Sequence, residues 1–264
     1  EDAAAEVLQR LYADFDAPQL LVGRRTAEMI KYASNDFLAL KISYVNEIAN
    51  LCETVGADVE EVTKGMGYDS RIGNKFLKAG IGYGGSCFPK DTKALSWLAS
   101  FNDKEIRTIK AAIEVNDSQK FKLVKKARKY YDDFLFLNIA ILGCTFKPGT
   151  DDLREAPSLV NVPLLLEDGA NLRIWDPVGT ENFKKKIQHK NIQYFETIEE
   201  AIEGADLCLI FTEWDDVVNF DIRKYEELMK TPIVLDGRNC YPLSAFEGTK
   251  TTYCSIGRKT VNDR

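Results

Sequence analysis

Histidine is almost absent. His189 is the only one in 264 residues and stands in a lysine-rich stretch with no partner nearby, so a surface position is expected. A histidine-based triad and a His-rich metal site are thereby excluded. No CxxC pair occurs among the six cysteines, Cys52, Cys87, Cys144, Cys208, Cys240 and Cys254. Four of them (Cys52, Cys144, Cys208 and Cys254) lie in apolar runs, where cysteine packs as a small core residue. A reduced protein of the cytoplasm is expected from that usage. No run approaches the roughly 18 apolar residues of a membrane helix, and no signal peptide is read at the start. A basic excess is also lacking. With 35 Lys and Arg against 41 Asp and Glu the net charge is −6, so a nucleic-acid surface is not expected. The basic clusters at 120–129 and 184–186 read as solvated helix faces.

What is present is most informative at residues 82–91, Gly-Tyr-Gly-Gly-Ser-Cys-Phe-Pro-Lys-Asp. Gly82, Gly84 and Gly85 let the backbone turn tightly and approach a ligand. Cys87 follows them, and Pro89 introduces a helical pattern through Lys93, Leu95, Trp97 and Leu98. A thiol at a helix entrance feels the positive end of the dipole, which favours a nucleophile. The alternative is a glycine-rich turn with an incidental cysteine.

Residues 26–55 contain neither glycine nor proline, and apolar residues recur at helical spacing until Gly56. A helix of about thirty residues spans roughly 45 Å, a rod that connects domains or forms a subunit interface. Asp58 and Glu61 suggest a capping box opening a helix to about Lys64. Further helical patterns over 104–116 and 119–131 make 26–131 an all-helical region. After Asp133, strands and helices alternate: strands at 137–142, 171–175, 206–212 and 233–236, helices at 158–167, 197–203 and 225–229. The expected fold is α/β, an all-helical central dimerisation region followed over 132–264 by a Rossmann-like, doubly wound parallel sheet. Residues 1–25, opening in a helical pattern with a strand or linker at 17–22, are expected to be a remnant of a preceding domain. The loop at 143–149 lacks GxGxxG spacing. Lys147 and Arg238 fall beyond strand ends, where an anionic ligand would sit; ordinary loop charges are the alternative.

Several segments together resemble one family. IKYASNDFLALKISYVNEIANLCE, DSRIGNKFLKAGIGYGGSCFPKD, GCTFKPGTDDLRE, FTEWDD and DGR are similar to the UDP-glucose/GDP-mannose dehydrogenases, in order and at family-like spacings. The family has an N-terminal NAD-binding domain, a helical middle crossed by a long helix, and a C-terminal domain for the nucleotide sugar. The last two match here. One departure is Asp36, where the family more often has an apolar or small residue.

The resemblance implies a four-electron oxidation of UDP-glucose to UDP-glucuronate consuming two NAD, by a chain that is inactive without the NAD-binding part. Oxidation of another nucleotide sugar (a UDP-N-acetylhexosamine or GDP-mannose) and a non-catalytic UDP-sugar-binding module are the alternatives. Cys87 would form a thiohemiacetal and then a thioester. Lys31 and Asn35, on one helix face by their i, i+4 spacing, would donate to the developing oxyanion. Asp91 would orient water or a catalytic amine, a plain carboxylate at a helix N-terminus being the alternative. Lys78, Gly82, Tyr83 and Gly84 would bind substrate, with Phe146, Lys147 and Arg238 at the UDP end. Arg71 would reach a ligand in a neighbouring subunit. Cys87, Asp91 and Arg154 would meet NAD. A homodimer through the 26–55 helix is expected, with Ile42, Val45 and Ile48 in or beside the contact.

Overall fold

The stretch without glycine or proline folds as one unbroken helix. In a computed structural model describing residues 2–263, helix α1 (Asp2–Leu11) leads through irregular chain to α2 (Arg24–Val55). Glu1 and Arg264, the ends of the expected first and last segments, lie outside the described residues. Residues 17–22 form no strand. The 32 residues of α2 make a rod of about 48 Å. Gly56 ends it in the left-handed region at φ 77°, its N–H donating to the Cys52 carbonyl. Asp58 caps α3 (Val59–Gly67) by accepting from the Glu60 N–H at 2.8 Å, in place of a reciprocal box with Glu61.

Helices α4 (Cys87–Phe101), α5 (Arg107–Gln119) and α6 (Lys122–Ala127) complete the helical region. Helix α4 begins at Cys87 itself. Pro89 therefore sits inside the first turn, where its missing N–H costs no helical bond. Helix α6 is shorter than the 119–131 pattern predicts.

Strands β1 (Asn138–Leu142), β2 (Asn171–Trp175), β3 (Ile192–Tyr194), β4 (Leu207–Ile210), β5 (Ile233–Asp236) and β6 (Thr252–Cys254) form one sheet in the order β3-β2-β1-β4-β5-β6. Every neighbouring pair is parallel. Helices α7 (Ser158–Glu167), α8 (Thr180–Lys186), α9 (Ile198–Ile202), α10 (Asp215–Val218) and α11 (Arg223–Leu228) lie in the connections. The strand order reverses between β1 and β4, which is where such sheets open a ligand crevice.

Side chains alternate across the sheet and so build two cores. Ile139 and Ile141 join a cluster that takes in Val45, Ala49 and Cys52 of α2, Val59 of α3 and Ile81. Ala140 and Leu142 face the opposite cluster with Ile198, Trp214 and Tyr225. The helical region and the sheet thus share one apolar core. Charged clamps tie the same seam, since Lys126 pairs with Glu53 at 2.8 Å and Arg258 with Glu60 at 3.0 Å.

The solvated-face reading of 120–129 is corrected here. Lys120 and Lys126 are not on solvated faces; both are buried, and Lys120 pairs with Glu155 at 2.9 Å. Val45 is wholly buried within its own chain's core, next in sequence to exposed Tyr44. The open line on α2 is Ile30, Phe37, Tyr44 and Leu51, spaced by seven, with Val55 beyond.

Candidate active site

Two facing helices and the sheet suspend residues 79–85 between them. The Gly80 N–H donates to Asn46 Oδ1 of α2 at 2.9 Å, and Gln119 Nε2 of α5 donates to the Gly80 carbonyl at 2.8 Å. Asn116 grips Tyr83 from both sides, accepting from its N–H at 2.8 Å and donating to its carbonyl at 3.1 Å. From the sheet side, Gly237 accepts from the Ile81 N–H and Arg154 accepts from the Gly85 N–H at 2.7 Å. The glycines are required here. Gly82 has φ 87°, and a Cβ on it would stand 2.7 Å from Asn116 Oδ1; one on Gly84 would stand 2.6 Å from the Glu155 carbonyl. Asn46, Asn116 and Gln119 are buried and were missed in the sequence. The available signal was three amides falling on helix faces made mostly of small and apolar residues.

This loop delivers Cys87 to the first turn of α4, where its thiol is exposed. One turn on, Asp91 is buried at 1 % exposure. Its Oδ2 accepts from Lys31 Nζ at 2.8 Å and from Asn35 Nδ2 at 2.6 Å, so the i, i+4 pair on α2 converges on one oxygen. Lys90 Nζ lies 3.3 Å from the other oxygen. Burial acts to raise the Asp91 carboxyl, but bonds from Lys31, Asn35 and Lys90 outweigh it and hold the group below the usual carboxylate range. The bond to Asp91 in turn raises the Lys31 ammonium above its ordinary value, and Cys87 lies within electrostatic reach of both Lys31 and Arg154. The result is an exposed thiol beside an ammonium held in place by a buried carboxylate.

Residues of the 82–90 segment line two cavities, Gly82, Tyr83, Gly84 and Phe88 one and Gly85, Ser86, Pro89 and Lys90 the other. The smaller, about 320 Å³, takes Lys78, Gly82, Tyr83, Gly84, Phe146, Lys147 and Arg238 into its lining. Sequence expectation had grouped these residues from three separate segments. Arg238 spends its donors on the carbonyls of Phe211, Gly82 and Phe146, at 2.8, 3.0 and 3.3 Å. It therefore fixes the cavity's shape as well as its charge. The larger cavity, about 980 Å³, has Ser86, Lys90, Lys93 and Arg154 along it, with Arg154 paired to Asp152 at 2.8 Å. Arg71 stands apart on an exposed turn, paired with Asp69 at 2.6 Å, and lines neither cavity. His189 is exposed, and its Nδ1 accepts from the Asn191 N–H.

The central-domain model of the UDP-glucose/GDP-mannose dehydrogenase family matches residues 25–118, and the UDP-binding-domain model of the same family matches 140–242. The chain belongs to that family. It is 47% identical over 261 residues to UDP-glucose 6-dehydrogenase YwqF of Bacillus subtilis (strain 168), covering 99% of this chain and 59% of the relative. Among solved structures it is similar to a UDP-glucose dehydrogenase from Pyrobaculum islandicum (TM-score 0.87, 33% identity, 98% of this chain and 57% of that one). It is also similar to a UDP-D-ManNAc dehydrogenase from Pyrococcus horikoshii (TM-score 0.81, 27% identity, 97% of this chain and 58% of that one). The chain thus spans under three-fifths of the length of these relatives. Within the family's two regions, Lys31, Asn35, Cys87 and Asp91 fall in the central domain, and Phe146, Lys147 and Arg238 in the UDP-binding domain.

Among the described residues no helix is long and apolar enough to cross a membrane, and no group of His, Cys, Asp and Glu could hold a metal ion. Asp176 follows β2, where such folds place the carboxylate that accepts from a ribose. Its oxygens are already taken by the N–H groups of Cys144, Thr145, Val178 and Gly179 and by Trp214 Nε1.

Proposed function

We propose that this chain is the central and nucleotide-sugar-binding part of an NAD-dependent UDP-glucose 6-dehydrogenase, working in a longer polypeptide called the full-length protein below. The observation carrying this reading is the convergence of Lys31 and Asn35 on Asp91, one turn from an exposed Cys87 that follows a loop lining a cavity shared by the central and UDP-binding regions. UDP-glucose is preferred over an N-acetylated sugar because the relative at 47% identity bears the UDP-glucose name, against 27% for the UDP-D-ManNAc one.

The smaller cavity holds the UDP end, with Lys147 Nζ supplying charge to the diphosphate, Phe146 a face for the base or sugar, and Lys78 a second cation. In this reading the sugar's C6 extends from that cavity toward Cys87. When bound, NAD would supply the hydride acceptor for both oxidations, and Arg154, which lines the larger cavity, would help to hold it. Once the C6 alcohol is an aldehyde, Cys87 Sγ bonds to its carbon and the carbonyl oxygen becomes an oxyanion or hydroxyl. Lys31 and Asn35 donate to that oxygen, and Asp91 keeps both aimed. Loss of a hydride from the same carbon leaves a thioester. Water, giving a proton toward Asp91, adds to the thioester carbon. Expulsion of the thiolate yields the uronate and frees Cys87. Two hydrides leave and one water oxygen enters.

The full-length protein, offered a panel of UDP- and GDP-sugars, is expected to form NADH fastest with UDP-glucose, two per sugar consumed. NADH with none of them would defeat the reading, and a faster UDP-N-acetylhexosamine would reassign the sugar.

The assembly is a homodimer through α2, in a cytoplasmic protein. Its support is the open apolar line Ile30, Phe37, Tyr44 and Leu51 on a rod of this length. Sedimentation of the 264-residue chain should give about twice its 29.8 kDa, and Tyr44→Glu should return it to monomer. A wild-type monomer at micromolar concentration contradicts the assignment.

A further inference from the structure

Helix α2 presents a buried stripe to its neighbours: Asp36, Ala39, Ser43 and Asn46. Two of its polar members have evident work. Ser43 donates to the Ala112 carbonyl at 2.7 Å, and Asn46 accepts from Gly80. Asp36 differs. It is 1 % exposed, and neither carboxyl oxygen has a hydrogen-bond partner among the described residues. It adjoins Asn35 in the chain and stands within electrostatic reach of Asp91 from α4, Lys31 from its own helix, and Tyr83 of the substrate loop.

An ionised carboxylate without a partner is costly to bury, and two neighbouring carboxylates ionise one after the other. Asp91 takes the first ionisation, because Lys31, Asn35 and Lys90 all serve it. We propose that Asp36 is a positioning residue: its later ionisation places a second, buried negative charge within electrostatic reach of Asp91, raising the proton affinity of Asp91 and making it a stronger base toward water. The proposal rests on the chemistry proposed above. Burial first, then the charge of Asp91, pushes Asp36 up to about 6, with Lys31 partly offsetting them. The coupling is reciprocal, so what Asp91 does to Asp36, Asp36 does to Asp91.

Two measurements decide it. In the full-length protein, uronate formation by wild type should rise through about pH 6. In Asp36→Asn that rise should vanish, leaving the rate within twofold of wild type at pH 5 and roughly three- to tenfold lower at pH 8. A variant whose profile runs parallel to wild type at every pH shows a merely structural residue and overturns the proposal. The second measurement needs no activity. A carboxyl whose folded value is raised contributes stability at low pH that is lost as the pH climbs through that value. Thermal unfolding of the 264-residue chain should therefore show Asp36→Asn gaining on wild type at pH 8 relative to pH 4, by up to about a hundredfold in the folding equilibrium. Asp36→Ala leaves the same cavity at both pH values and must show the same pH-dependent difference. A difference of zero in both variants overturns the proposal. An inactive full-length wild type would instead defeat the functional reading, with the unfolding comparison still deciding the state of Asp36.

Discussion

Cys87→Ser in the full-length protein is expected to lower uronate formation to about one-thousandth or less of wild type. Among the side chains at the site, the thiol combines the best nucleophile toward a carbonyl carbon with the best leaving group from an acyl centre. A serine hydroxyl stays protonated at ordinary pH and is the poorer nucleophile and leaving group. The change is also structurally mild, because Cys87 is exposed at the start of α4 and packs in neither core. UDP binding by calorimetry should then stay within about threefold of wild type, since the smaller cavity is untouched. Near-normal uronate formation would remove the nucleophile role from Cys87.

Asp91→Asn carries the next largest effect. The carboxylate accepts from Lys31 and Asn35 through one buried oxygen. An amide turned toward those donors offers N–H against N–H, and turned away it offers one neutral acceptor for two donors. The rate should fall about a hundredfold through loss of the base and of oxyanion aim. The alkaline limb should shift as well. Lys31 is raised mainly by its bond to Asp91, so without that bond its ammonium loses its proton at lower pH, and activity falls away sooner on the alkaline side. A profile scaled down at every pH without that shift would separate Lys31 from the chemistry.

How far the sequence could be read follows from how local each feature is. The length of α2 was legible because no glycine or proline interrupts residues 26–55, and its stop was legible in Gly56. The strands β1, β2, β4 and β5 showed as short apolar runs, whereas β3 and β6, three residues each, are too brief to show a period. Lys31 with Asn35, and Cys87 with Asp91, could be placed on single helix faces from their spacing alone. Their meeting could not: it depends on how α2 crosses α4, across 56 to 60 residues of chain. The same limit hid the amide clamps Asn46, Asn116 and Gln119 and the carbonyls that hold Arg238. On α2, apolar residues lie on two sides, one covered by the chain's own core and one open. Periodicity does not tell these apart, which is why the sequence reading named buried Val45 and not the exposed Ile30–Phe37–Tyr44–Leu51 line. Asp36 stood out as a departure from the family pattern, but only packing against the site gives it a burial and a charge environment.

The central claim is that the substrate's C6 carbon is bonded to Cys87 during the reaction. It is tested most directly by quenching the full-length Asp91→Asn protein in acid during turnover with UDP-glucose and NAD, then measuring intact and peptide masses. Slowed hydrolysis should leave a UDP-glucuronyl thioester on a large share of the protein, located on the peptide carrying Cys87 and absent when Cys87→Ser is added. Uronate production with no adduct, or with the adduct on another residue, would contradict the account.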